Sequence, residues 1–157
     1  FTYKGFDLSF LLQGVFGNQI TNGAGAFMSS SMDWFDNQTV DQLRRWQNPG
    51  DITDMPQVRF NYGNSSNASS RHVEDGDYVR LKNVTFGYKL PASALERLRI
   101  SNARIFLSGV NLLTFTKYTG WDPEVNADYR STNRNQGADF YSAPQIKTWT
   151  VGINIGF

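Results

Sequence analysis

A two-residue rhythm limits most sharply how this chain can fold. In "TWTVGINIGF" (148–157), Trp149, Val151, Ile153, Ile155 and Phe157 are apolar, and the residues between them are small or polar. In "GFDLSFLLQGVF", Phe6, Leu8, Phe10 and Leu12 share one parity, and Asp7, Ser9, Leu11 and Gln13 the other. In "DYVRLKNVTFGYKLP", Val84, Phe86 and Tyr88 alternate with Thr85, Gly87 and Lys89, but Val79 and Leu81 sit on the opposite parity. Alternation of this kind is the mark of a strand with one apolar face, and the slip between Leu81 and Val84 predicts a β-bulge. A further strand, "NARIFLSGVNLLTF", is apolar on both faces. Strands are therefore expected near 5–16, 78–90, 102–114 and 146–157.

The connections differ in length. Residues 17–77 and 115–145 are long and rich in polar residues, whereas 91–101 is a short connector after Pro91. Inside the first long segment, "DWFDNQTVDQLRRWQ" (33–47) predicts a short helix with Val40, Leu43 and Trp46 on one face, ended by "NPGD". Long and short connections in alternation fit an antiparallel transmembrane β-barrel with extracellular loops and tight periplasmic turns. No apolar run reaches the ~18 residues of a membrane-spanning helix, a fact silent on barrels. Four strands are too few to close a membrane barrel, which needs about eight, and an open sheet in lipid leaves unpaired backbone. The expectation is thus an all-β segment of a larger barrel. The alternatives are a barrel shared by several four-stranded chains, or a soluble carbohydrate-binding β-sandwich with its apolar faces buried.

Composition narrows the function. A net charge of +1 gives no pull toward nucleic acid. The chain has no cysteine, which excludes disulfides and thiolate metal sites, and its single histidine, His72, is expected to be exposed in a polar loop. No cofactor and no catalytic group is expected. The acidic groups Asp51/Asp54 and Glu74/Asp75/Asp77 read as solvated loop carboxylates in preference to a Ca²⁺ site or a glycosidase pair, because nothing in the sequence fixes them on a rigid scaffold.

Three blocks carry a resemblance. "DGDYVRLKNVTFGYKLP", "RIFLSGVNLLTFTKYTGWDPEV" and the terminal "TWTVGINIGF" resemble, in order and spacing, the C-terminal end of SusC/RagA-type TonB-dependent outer-membrane transporters, and "RRWQNPGDITDMPQ" is similar to a segment of one of their extracellular loops. The resemblance implies about four strands of a barrel of about 22 in the Gram-negative outer membrane. It implies import of glycans or peptides with a SusD-like surface lipoprotein, powered through the TonB complex. The family's plug domain has no counterpart among these residues.

Within that frame, Phe6, Leu8, Phe10, Leu12, Val84, Phe86 and Tyr88 are expected to face lipid, and Asp7, Ser9, Gln13, Thr85, Thr150 and Asn154 the lumen. Trp149, Val151, Ile153, Ile155 and Phe157 are expected to face lipid and to serve as the signal read by the barrel-assembly machinery, Phe157 being taken as the natural end. Trp121, Asp122 and Glu124 in "YTGWDPEV" are candidates for sugar stacking and hydroxyl binding, weighed against a structural turn fixed by Gly120 and Pro123. Arg44, Arg45 and Trp46 are candidates for docking the lid or another partner.

Overall fold

The computed structural model describes residues 1–29, 37–59, 69–96, 100–124 and 137–157. Their strands, in chain order, are β1 (Thr2–Tyr3), β2 (Phe6–Val15), β3 (Gln19–Asn22), β4 (Val73–Asp75), β5 (Tyr78–Lys89), β6 (Asn102–Thr116), β7 (Ala138–Asp139) and β8 (Thr148–Gly156). Two short helices, α1 (Gly23–Met28) and α2 (Ala92–Leu95), and two single 3₁₀ turns complete the described elements. The chain divides into two compact units, one made of residues 1–16, 77–117 and 145–157, the other of 17–76 and 118–144.

The first unit is an antiparallel sheet in the order β1-β2-β5-β6-β8. It has five strands where the alternation pattern showed four. The extra one, β1, is a two-residue stub folded back on Phe6 and Asp7 through Lys4 and Gly5. Both turn residues have positive φ, 47° and 88°, the backbone of a two-residue hairpin whose twist matches its strands. β1 is too short for any alternation to show. The turn at Lys4–Gly5, the connector holding α2 and the end of β8 gather at one end of the sheet: the Lys89 amide donates to the Gly5 carbonyl and the Ser101 amide to that of Gly156. Val15 pairs with Tyr78 and Tyr78 with Thr116, so both long excursions leave from the opposite end.

Register places the side chains. Leu8 lies opposite Phe86, Phe86 opposite Leu107, and Leu107 opposite Val151; one step along, Phe6, Tyr88, Ile105 and Ile153 form a parallel row. The Phe6 ring packs on Tyr88 at 4.4 Å and on Phe86 at 5.7 Å. Strand β6, apolar on both faces in sequence, thus presents Ile105 and Leu107 to this row and Arg104, Phe106 and Ser108 to the other side. The expected slip is real: Leu11 pairs with Asn83 but Leu12 with Leu81, leaving Lys82 as the extra residue. The bulge returns Leu81 and Val79 to the face of Val84 and Phe86. Most of the apolar face is exposed, Val151 at 76% and Phe10 at 51%. A soluble sandwich would bury these side chains, so that alternative fails.

The opposite face is polar. Ser9, Thr85, Ser108 and Thr150 line up across four strands, and Thr85 and Ser108 share a 3.0 Å hydroxyl contact. Arg104 on β6 reaches over β5 to Asp7 on β2, with Nε–Oδ1 at 2.8 Å and Nη2–Oδ2 at 2.5 Å. The bidentate pair passes directly over Gly87; a Cβ there would lie 2.5 Å from Asp7 Oδ1 and closer still to the guanidinium. Only glycine on the middle strand leaves this path open. Both partners are about 30% exposed, so water screens the pair only partly. Gln13 donates to the buried Tyr78 hydroxyl at 3.2 Å on the same face.

The second unit is not two independent loops. β3 is the middle strand of a small sheet in the order β4-β3-β7, antiparallel to β4 and parallel to β7. Both excursions therefore contribute to one structure, built around the fully buried Ile20. Where the sequence predicts a helix over 33–47, residues 37–47 hold only a 3₁₀ turn, Val40–Arg44, without a side-chain cap at Thr39. Residues 30–36 lie outside the described set. Val40 and Leu43 are exposed, and Gln42 is the buried member, donating to the Ser29 carbonyl at 3.1 Å. The apolar spacing of three is thus not a buried face here.

Candidate functional site

The second unit contains a cavity of about 550 Å³, within the size range of ligand pockets. Its frame is a polar network. Asn22, at the end of β3, accepts from the Gly25 amide at 2.7 Å and donates to Glu74 at 2.8 Å. Glu74 on β4 also accepts from the Thr119 amide and hydroxyl, both at 2.8 Å. Asn22 and Glu74 thereby tie the start of α1 to the second excursion. Tyr118 is buried and donates its hydroxyl to the buried Asp139 at 2.7 Å. Burial first, and then the Asp139 carboxylate, drive the Tyr118 pKa far above its ordinary value, so the phenol keeps its proton and remains a donor. Asp139 Oδ1 takes the Ser142 amide, which fixes the turn that carries Tyr141.

Gly120 is required at this wall. A Cβ on it would overlap the Tyr118 ring. Tyr141 has φ +55, a left-handed backbone that tyrosine rarely adopts, and it lines the cavity. Its ring stacks edge-on against Phe140 at 4.9 Å and Phe27 at 6.4 Å. Strain of this kind concentrates at binding sites.

The sequence candidates separate. Trp121 lies on the cavity with 73% of its surface exposed. Asp122 does not line it: this carboxylate is buried and accepts from the Glu124 amide at 2.9 Å, the role of a turn residue. Glu124 is half-buried beside it. Arg44 is exposed and engaged by Asp41 at 2.8 Å and Asp54 at 3.0 Å, which is also why the Asp54 carboxyl lies below its usual range. Arg45 donates to the Gln42 carbonyl, and the half-buried Trp46 is pinned through its amide to Met55. This triplet shapes its own loop. Asp51 caps the Gln47 and Asn48 amides, whose hydrogen bonds lower its pKa. Among the described residues no group of three or more acidic or histidine side chains could hold a metal ion.

Sequence reading missed Met28, Met55, Arg71, Asp139 and Tyr141, which line the cavity from four separate places in the chain. It also placed His72 in solvent, whereas this residue is half-buried on the cavity. Arg71 donates through Nε to His72 Nε2 at 3.2 Å and through Nη2 to the Ser29 carbonyl at 3.3 Å. A guanidinium has no acceptor, so His72 Nε2 must be unprotonated and Nδ1 must carry the hydrogen. Burial, reinforced by the Arg71 charge, lowers the His72 pKa. The unfolded chain therefore takes up a proton before the folded one does. The stability His72 contributes is present above its ordinary value of about 6.5 and is lost as pH falls below it. Protection factors of the amides in α1 and β4, corrected for the intrinsic pH dependence of exchange, should fall below that pH in the intact protein, and His72→Gln should flatten the dependence.

No family model matches the chain. Among curated proteins, TonB-dependent receptor P3 of Formosa agariphila is 39% identical over 160 residues, covering 99% of this chain. TonB-dependent receptors P26 and P39 of the same organism are each 29% identical over essentially the whole chain. The RagAB peptide importer in its closed-closed state superposes with a TM-score of 0.83 at 27% identity, again over 99% of the chain, and the open-open state with 0.77 at 25%. Over its whole length the chain thus resembles a segment of TonB-dependent receptors, and its fold resembles that of the RagAB importer. It spans only 15–16% of the length of these curated relatives and 16% of the first RagAB chain, so it corresponds to one portion of their barrels and loops. The five-stranded antiparallel sheet, open at β1 and β8, has the form expected of such a portion.

Proposed function

We propose that this receptor segment supplies barrel wall and outer loops to a TonB-dependent importer of the Gram-negative outer membrane. The importer takes up glycans or peptides together with a SusD-like surface lipoprotein. The observation that carries the reading is the separation of faces in the first unit: an exposed apolar surface continuous over β2, β5, β6 and β8, backed by a polar one. In lipid, backbone groups must be satisfied within the sheet, and the apolar face then meets the acyl chains. Phe6, Leu8, Phe10, Leu12, Val84, Phe86, Tyr88 and the stripe from Trp149 to Ile155 take the lipid side. Asp7, Ser9, Gln13, Thr85, Thr150 and Asn154 take the lumen. β6, at 15 residues, exceeds the ~9–11 that a tilted strand needs to cross a bilayer.

Deleting the gene that carries this sequence should abolish growth on one oligomeric nutrient, and the intact protein should fractionate with outer membranes. Undiminished growth on every glycan and peptide source, or recovery in the soluble fraction, would sink the reading.

A further inference from the structure

We propose that the cavity of the second unit is a subsite for one uncharged sugar unit of the transported ligand, with Trp121 as its stacking platform; this rests on the importer reading above. Three features converge there. Trp121 offers an exposed indole face, and Tyr141, held at φ +55, supplies a second ring. The apolar face of a pyranose packs on such surfaces, with Met28 and Met55 filling the remaining apolar wall.

The polar wall decides between ligand classes. Asp139 spends one hydrogen bond on each oxygen, to Tyr118 and Ser142, and Asp41 accepts from Arg44 through a single oxygen. A carboxylate has about four acceptor sites, so both keep capacity, and Asp139 is buried and fixed by its two donors. Four carboxylates line the cavity, Asp41, Asp54, Glu74 and Asp139, against the one guanidinium of Arg71, so the lining is rich in acceptors and net negative. A sugar presents several hydroxyl hydrogens around one ring and can use them. A peptide presents one amide hydrogen per residue, and its carbonyl oxygens are repelled by carboxylates, as are the acid groups of uronates. The volume of about 550 Å³ holds one or two sugar rings with their water.

The test uses the full-length receptor in detergent, probed by calorimetry with three ligand sets: neutral oligosaccharides, uronate-containing oligosaccharides and a tryptic digest of casein. A neutral oligosaccharide should bind, and Trp121→Ala should weaken it about tenfold, the worth of one lost stacking contact. Ile52→Ala, a fully exposed residue outside the cavity lining, should leave the affinity unchanged. Trp121 is largely exposed, so its truncation should not unfold the unit, which a matching melting temperature verifies. Sugar binding indifferent to Trp121→Ala overturns the subsite. Binding confined to peptides or uronates, or no binding from any set, overturns the neutral-sugar assignment. The importer reading stands or falls separately, on growth of the deletion strain.

Discussion

Lysine in place of Leu107 should destabilise the inserted receptor by about 2–4 kcal/mol, the penalty of a charge near the bilayer midplane on a barrel's lipid face. Leu107 sits in the middle of the longest strand, between Phe86 and Val151, and 41% of its surface is exposed. Its neighbour Ser108 points to the other face, between Thr85 and Thr150. The paired variants Leu107→Lys and Thr150→Lys therefore report orientation. The first should lower the urea midpoint for unfolding from lipid vesicles and reduce the heat-modifiable folded band on gels. The second should leave both nearly unchanged, because a lumen lysine stays in water. Equal effects from the two, or the reverse order, would mean that the apolar face is covered by protein and not by lipid.

Alanine at Gly120 should cost the second unit about 1–3 kcal/mol, the usual range for overpacking. The added methyl occupies the space of the Tyr118 ring. That ring cannot swing aside freely, because its hydroxyl is fastened to Asp139, a buried carboxylate with only one other donor. Displacing it would take one of its proton donors from this buried carboxylate, which adds to the steric term. Protease nicking within 17–76 should increase while the sheet's own unfolding midpoint holds, since Gly120 belongs to the other unit. Tyr118→Phe, which keeps the ring and removes only the hydroxyl, separates the two contributions.

The sheet was legible because its two faces differ in chemistry, one apolar and one polar. Phe6, Leu8 and Phe10 repeat at period two, and so do Trp149, Val151 and Ile153; even the bulge at Lys82 showed as a break in parity between Leu81 and Val84. β1 was not legible, since two residues cannot display a period. The second unit was hidden for a different reason. β3, β4 and β7 are two to four residues long and polar, and their pairing joins positions more than a hundred residues apart, such as Thr21 and Ala138. The cavity shows the same limit. Trp121 stood out as an aromatic between glycine and aspartate, but its neighbours on the wall come from distant segments. Asp122 looked like a ligand group for want of its real partner, the Glu124 amide. The helix expected over 33–47 failed because a spacing of three between Val40 and Leu43 suits an exposed 3₁₀ turn as well as a buried face.

The parallel pairing of β3 with β7 bears on how such receptors can be recombined. Thr21 takes the Gly137 carbonyl, and Asn22 sits beside Asp139 in the ladder. The two excursions are therefore halves of one module, although the chain passes through β5 and β6 between them. A specificity transplant that exchanges only one half would strand the other's ladder partners and leave Glu74 without Thr119. Exchange of both halves together, with the strands between them left in place, keeps the module intact, and inheritance of ligand preference should follow the pair.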